Sequence, residues 1–217
     1  MKMRRLLCLL MTLLLIGCTG LTHASLHGGA YAEETAIVYP LPDATMDDLT
    51  DATLSVSFKA GDIYLDDTGK LQMRVRIYTF DAYDLVDVAL LKVGDIIMTH
   101  AGEVMVVSVA HEAEGAVVVN GGWTAGGLSL MPDDEGGFYY AMGVNDTKDW
   151  YELGEAALRV SVDFEGYDLA DPELGEVVFY PGSFLVGEVA NDDFTPYNTT
   201  IRLEAGQVVE LHRAYMP

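Results

Sequence analysis

Leu71-Gln72-Met73-Arg74-Val75-Arg76-Ile77-Tyr78-Thr79-Phe80 alternates apolar and polar side chains through its first eight positions. A two-residue period matches the pleat of a β-strand, which sends successive side chains to opposite faces; an amphipathic helix would repeat every three or four residues. Leu71, Met73, Val75 and Ile77 are therefore assigned to a core, and Gln72, Arg74, Arg76 and Tyr78 to the other face. On that face Arg74 and Arg76 are read as surface charges partnered by acids of a neighbouring strand, not as a substrate clamp.

The same pattern extends outward on both sides. Asp66-Asp67-Thr68-Gly69-Lys70 is a turn that joins Asp62–Leu65 to the long strand as a hairpin. Leu54, Val56 and Phe58 alternate with Thr53, Ser55 and Ser57, and Leu158, Val160, Val162 and Phe164 alternate with Arg159, Ser161 and Asp163. Gly121-Gly122, Gly126-Gly127, Gly136-Gly137 and Pro181-Gly182 punctuate further short apolar runs, including Gly175–Tyr180 and Phe184–Val189. Thr199–Leu203, the turn Glu204-Ala205-Gly206-Gln207 and Val208–Tyr215 close the chain as a hairpin. Short strands at roughly 8- to 12-residue spacing with glycine-rich turns predict an all-β fold. We expect a sandwich or barrel of about a dozen short antiparallel strands, with at most one or two helical turns. Asp84–Leu91 suits a short helix or a strand equally, and Asn145-Asp146-Thr147 is placed to cap a helical turn over Lys148–Leu153.

Ile96–Met98, Val104–Val107 and Val117–Val119 are continuous apolar runs, the pattern of strands covered on both faces, and are expected at the centre of the fold. The run Leu91-Lys92-Val93-Gly94-Asp95-Ile96-Ile97 is similar to the opening hairpin of many small β-barrels, self-splicing Hint modules among them. A Hint enzyme also needs a nucleophilic cysteine or serine at its N-terminal junction, and the chain beyond residue 18 offers no such cysteine.

The N-terminus reads differently. Lys2, Arg4 and Arg5 precede the uncharged run Leu6–Ile16, which is shorter than the roughly 20 apolar residues a spanning helix needs and has the form of an export signal. Its end, Leu15-Ile16-Gly17-Cys18, resembles the bacterial lipoprotein box, in which the cysteine is acylated and becomes the new N-terminus. That resemblance implies a diacylglyceryl group on Cys18 and two acyl chains in a membrane, about what stable anchoring requires. Ordinary cleavage after Ala24 or Ala32 would leave the Gly17-Cys18 pair unexplained. The expected organisation is a signal peptide and lipobox over residues 1–18, a flexible acidic tether over 19–52, in which a short strand around Ala36–Tyr39 or a helical turn near Met46–Leu49 is the alternative, and a single all-β extracytoplasmic domain over 53–217. Cys8 lies in the signal, so the anchored chain has no second cysteine for a disulfide, and its stability must come from a hydrophobic core.

Charge narrows the partners. All 34 acids follow residue 32, whereas three of the 12 Lys and Arg lie in the signal, so the chain after Cys18 keeps nine bases and a net charge of −25. No basic patch offsets this, which argues against nucleic acid.

Few residue groups carry chemistry. His100, His111 and His212 fall at turns or strand ends without zinc-ligand spacing and are expected to be exposed. Asp133-Asp134-Glu135 is the oxygen-rich loop best suited to calcium, although the EF-hand spacing is absent. Trp123, Tyr140, Trp150 and Tyr151 crowd one third of the chain beside acids, the setting in which rings stack on sugars or partner surfaces. Adjacent Tyr139 and Tyr140 must face opposite sides of one strand. These features predict a membrane-anchored extracytoplasmic lipoprotein acting as a non-enzymatic module that binds a protein or polysaccharide. The alternatives are a glycan-directed hydrolase using paired carboxylates and a structural envelope component.

Overall fold

A computed structural model describes residues 35–42, 45–161, 167–171, 176–180 and 194–214. Cys18 and the lipobox lie outside the described residues, as does the strand expected at Phe184–Val189.

The described chain is all-β. Its strands, in order, are β1 (Ile37–Val38), β2 (Thr53–Ser57), β3 (Ile63–Leu65), β4 (Leu71–Phe80), β5 (Ala82–Tyr83), β6 (Ile96–Thr99), β7 (Gly102–Met105) and β8 (Val109–His111). After them come β9 (Val117–Val119), β10 (Leu128–Pro132), β11 (Tyr139–Ala141), β12 (Trp150–Val160), β13 (Tyr167–Asp171), β14 (Glu176–Tyr180), β15 (Thr199–Glu204) and β16 (Gln207–Arg213). This is more strands than expected, because two- and three-residue strands such as β1 and β5 are too short to display a period.

The alternating strands form the largest sheet, in the order β12-β4-β2-β15-β16-β13-β14, with β3 alongside β4. One edge of β16 is shared: Gln207 and Val208 run parallel to Arg159 and Val160 of β12, and Leu211–Arg213 run parallel to β13. The first of these pairings closes β12, β4, β2, β15 and β16 into a ring. Inside it lie Leu54, Val56, Met73, Val75, Ile77, Leu158, Val160, Ile201, Leu203, Val208 and Leu211, the apolar halves of the alternations. Outside, Arg76 pairs with Glu155 at 3.1 Å, Arg74 lies over the ring of Tyr64, and the Arg202 Nε donates to Glu210 at 2.8 Å.

A second core gathers Val38, Tyr83, Val88, Leu91, Ile97, Val106, Val117, Val119, Leu130 and Ala141. A three-stranded sheet (β1-β6-β7), a five-stranded sheet (β5-β11-β10-β9-β8) and the helix α1 (Leu85–Ala89) surround it. Asp84 decides the ambiguous segment in favour of helix, since its carboxylate accepts from the amides of Val86 at 2.7 Å and Asp87 at 3.4 Å. The Tyr83 hydroxyl, fully buried here, donates to the Met98 carbonyl at 2.9 Å.

Three expectations are corrected. The stretch 35–52 belongs to the folded body, which begins at Thr35, so the tether does not extend to residue 52. Val38 is buried beside Ile97 in a parallel pairing, and Met46, Leu49 and Ala52 pack against the ring core. Trp150–Leu153 is strand rather than helix, because β12 pairs with β4 from Phe80 back to Gln72, and a 3-10 turn precedes it at Val144–Asp146. Finally, the run around β6 and β7 is covered on one face, not two: Ile37 and Met105 are 48% and 59% exposed on the other.

Candidate functional site

The five-stranded sheet presents two unlike faces. In its register Leu130 pairs with Val117 and Ala141, and this row points into the second core. The neighbouring row, Val118-Ser129 and Met131-Tyr140, points the other way. Adjacent tyrosines therefore part company. Tyr139 packs against the core and donates its hydroxyl to the Gly115 carbonyl at 3.1 Å, while Tyr140 stands on the outer face.

A glycine-framed loop lays Trp123 over that outer face. Asn120, Gly121 and Gly122 have φ values of 55°, 82° and 80°, and the 3-10 turn Trp123–Ala125 ends at left-handed Gly126. A Cβ on Gly122 would lie 2.9 Å from the Ser129 Oγ, so only glycine permits this approach. The amide of Trp123 donates to that same Oγ at 3.3 Å, and Gly127 N–H closes the loop on the Gly122 carbonyl at 2.9 Å. Asn120 pins the loop base: its Oδ1 accepts from the amides of Val107 and Ser108, and its Nδ2 donates to the Met105 carbonyl.

Between loop and sheet lies an open cleft of about 690 Å³, within the range of small-molecule sites. Trp123 and Tyr140 line it, Ser129 and Met131 belong to its floor, and Glu112, Glu114 and Asp146 bring carboxylates to it. Glu112 and Glu114 come from the β8–β9 hairpin tip, where the Glu112 carbonyl accepts from Gly115 N–H at 3.1 Å. Burial, then the charges of Asp134 and Asp133, holds the Tyr140 hydroxyl above the ordinary tyrosine value.

No family model, curated protein or solved structure matches this chain. The geometry must carry the functional reading.

The four aromatic residues singled out in the sequence divide between three places. Trp123 and Tyr140 share the cleft. Trp150 meets Phe80 edge-on at 4.9 Å and lines two smaller hollows of about 310 and 380 Å³. Phe80 also meets Tyr140 at 6.4 Å and Phe138 at 6.1 Å, so one ring ties β4 and β12 of the ring to the five-stranded sheet. The Lys148 ammonium sits over this group, 4.4 Å from the Phe80 centroid and 5.4 Å from that of Tyr140. Tyr151, next to Trp150 and on the opposite face, stacks on His100 at 4.1 Å.

His100 is exposed at a turn, as expected, but its imidazole is held by a buried carboxylate. Its Nδ1 lies 2.9 Å from Oδ2 of Asp81, a carboxylate only 2% exposed, and its backbone N–H donates to the same oxygen at 3.0 Å. A buried carboxylate orienting an imidazole is half of a nucleophilic site. The adjoining hydroxyl, that of Thr99, is committed to the turn: it donates to the Gly102 carbonyl and accepts from Ala101 N–H. No spacing rule could have found this pair, since Asp81 lies between β4 and β5 and His100 in the turn after β6, 19 residues away.

Asp133, Asp134 and Glu135 form the β10–β11 hairpin tip, with Glu135 N–H donating to the Asp133 carboxylate at 3.4 Å and Gly136 N–H to its carbonyl at 2.8 Å. Among the described residues no three His, Cys, Asp or Glu side chains are grouped to hold a metal ion. No described helix is long and apolar enough to cross a membrane.

Proposed function

We propose that this chain is an extracytoplasmic lipoprotein, held to a bacterial membrane through acylated Cys18, that works as a non-enzymatic binding module for a polysaccharide. One observation carries the reading: Trp123 and Tyr140, on separate elements, line a single open cleft on the solvent face of a sheet. Two flat rings at one concavity offer stacking surfaces for pyranose faces, and the Ser129 hydroxyl adds a hydrogen-bonding group at the floor. The strong net acidity keeps such a module away from anionic lipids and polymers and favours ligands that are neutral or cationic.

The test is a glycan-array screen of the full chain in detergent, followed by titration of its hits against Trp123→Ala and Tyr140→Ala. Hits weakened at least tenfold by both substitutions are expected. A blank array, or hits indifferent to both, would overturn the reading.

A further inference from the structure

We propose that the cleft takes a glycan whose sugar rings carry free amines, bound in their ammonium form. This rests on the reading of the cleft as the ligand site and names what distinguishes its ligand.

Charge in the cleft is one-sided. Glu112, Glu114 and Asp146 are exposed at its lining, and no Lys, Arg or His stands among the described residues that form it. None of these three carboxylates has an ion pair or a side-chain hydrogen bond among the described residues. They line the same cleft as Trp123 and Tyr140, whose ring faces attract cations. Tyr140 already has a cation on its ring, Lys148 Nζ at 5.4 Å from the centroid, which leaves the Trp123 ring for a ligand ammonium. Negative potential reaches Tyr140 from Asp134 and Asp133 as well.

Ser129 adds a second requirement. Its side chain is 7% exposed, and its Oγ accepts from Trp123 N–H. Its own hydrogen has no hydrogen-bond acceptor among the described residues, and Ser129 lines the cleft. A ligand that satisfies the cleft thus presents a flat face to the rings, an oxygen to Ser129 and a positive charge to the acids. An amino sugar does all three; a neutral sugar leaves the carboxylates unanswered, and a basic peptide leaves the rings without a pyranose face.

Full chain in detergent is titrated calorimetrically with a glucosamine oligomer, the N-acetylated oligomer of equal length and an oligolysine, at acidic pH and low salt. The glucosamine oligomer is expected to bind at least tenfold tighter than the acetylated one. That advantage should shrink as salt rises, and Glu112→Gln, Glu114→Gln and Asp146→Asn should each reduce it roughly three- to tenfold. These surface substitutions leave the core untouched, and circular dichroism verifies folding. Equal affinity for both oligomers would overturn the amine requirement while leaving the binding reading intact. Binding of neither would overturn both, and oligolysine matching the glucosamine oligomer would overturn the sugar component.

Discussion

A single oxygen, Oδ2 of buried Asp81, receives both the imidazole Nδ1 and the backbone N–H of His100, at 2.9 and 3.0 Å. This carboxylate links the chain leaving β4 to the turn after β6, and the Tyr151 ring of β12 stacks on the imidazole it holds. Asp81→Ala leaves the half-buried bond to His100 N–H unmade and frees the ring, which we expect to cost about 1–3 kcal/mol. At this chain length that is a drop of roughly 2–4 °C in Tm per kcal/mol, read by thermal unfolding. His100→Ala keeps the backbone bond and should cost less; equal losses would show that the imidazole carries the whole effect.

The hairpin turn before β4 makes stability acid-sensitive. Asp66 accepts from the Thr68 hydroxyl at 2.6 Å and from Lys70 N–H at 2.9 Å, and these bonds lower its pKa from 3.8 to about 2. A group whose pKa is depressed by folding binds fewer protons in the native state, so its contribution is complete above 3.8 and is lost as pH falls through about 2. Asp66→Asn should flatten the acid limb of the stability curve in that window and leave its slope near neutrality unchanged. Denaturant melts from pH 2 to pH 7 measure both.

Gly122→Ala introduces a Cβ 2.9 Å from the Ser129 Oγ and 3.4 Å from Val118 Cγ1, at φ 80°. We anticipate a loss of about 1–3 kcal/mol together with weakened glycan binding, because the Trp123 loop must lift. Gly126→Ala shares the left-handed backbone but meets nothing within 4 Å, and should cost about 1 kcal/mol. The idea that steric fit seats the loop fails if the two variants behave alike.

Phe80 touches rings from both halves of the fold, Trp150 on one side and Phe138 and Tyr140 on the other. Phe80→Ala should cost about 2–3 kcal/mol in urea unfolding, and Phe80→Leu distinctly less. The Lys148 ammonium loses its nearest ring in either variant, so both should also weaken the salt-insensitive part of its hold.

Cys18→Ala, expressed in the native host, is expected to move the protein from the membrane fraction to the soluble extracytoplasmic one. Fractionation with immunodetection reads the result; an unchanged membrane pool would remove the anchor from the account.

Where a strand shows a sustained alternation, its faces are legible from the sequence. Met73, Val75 and Ile77 are buried where the alternation puts them, and Arg76 meets Glu155 across the strand pair. Tyr139 and Tyr140 diverge because adjacent strand residues must. Shorter elements carry a weaker signal: the sequence leaves Ala36–Tyr39 open between tether and strand, and Ile37 and Val38 settle as strand by lying parallel to Ile96 and Ile97. Trp150–Leu153 was misread because its own residues suit a helical turn, and pairing with β4 outweighs that preference.

The sequence alone determined the all-β character and the inward and outward sides of its long strands, since side-chain alternation is a property of neighbouring residues. Tertiary structure alone decided that β12 and β16 close a ring, that Asp81 buries beneath His100, and that Trp123 shares a cleft with Tyr140. Each of these joins residues distant along the chain, and which distant strands meet is set by how well their surfaces pack, a quantity no local period contains.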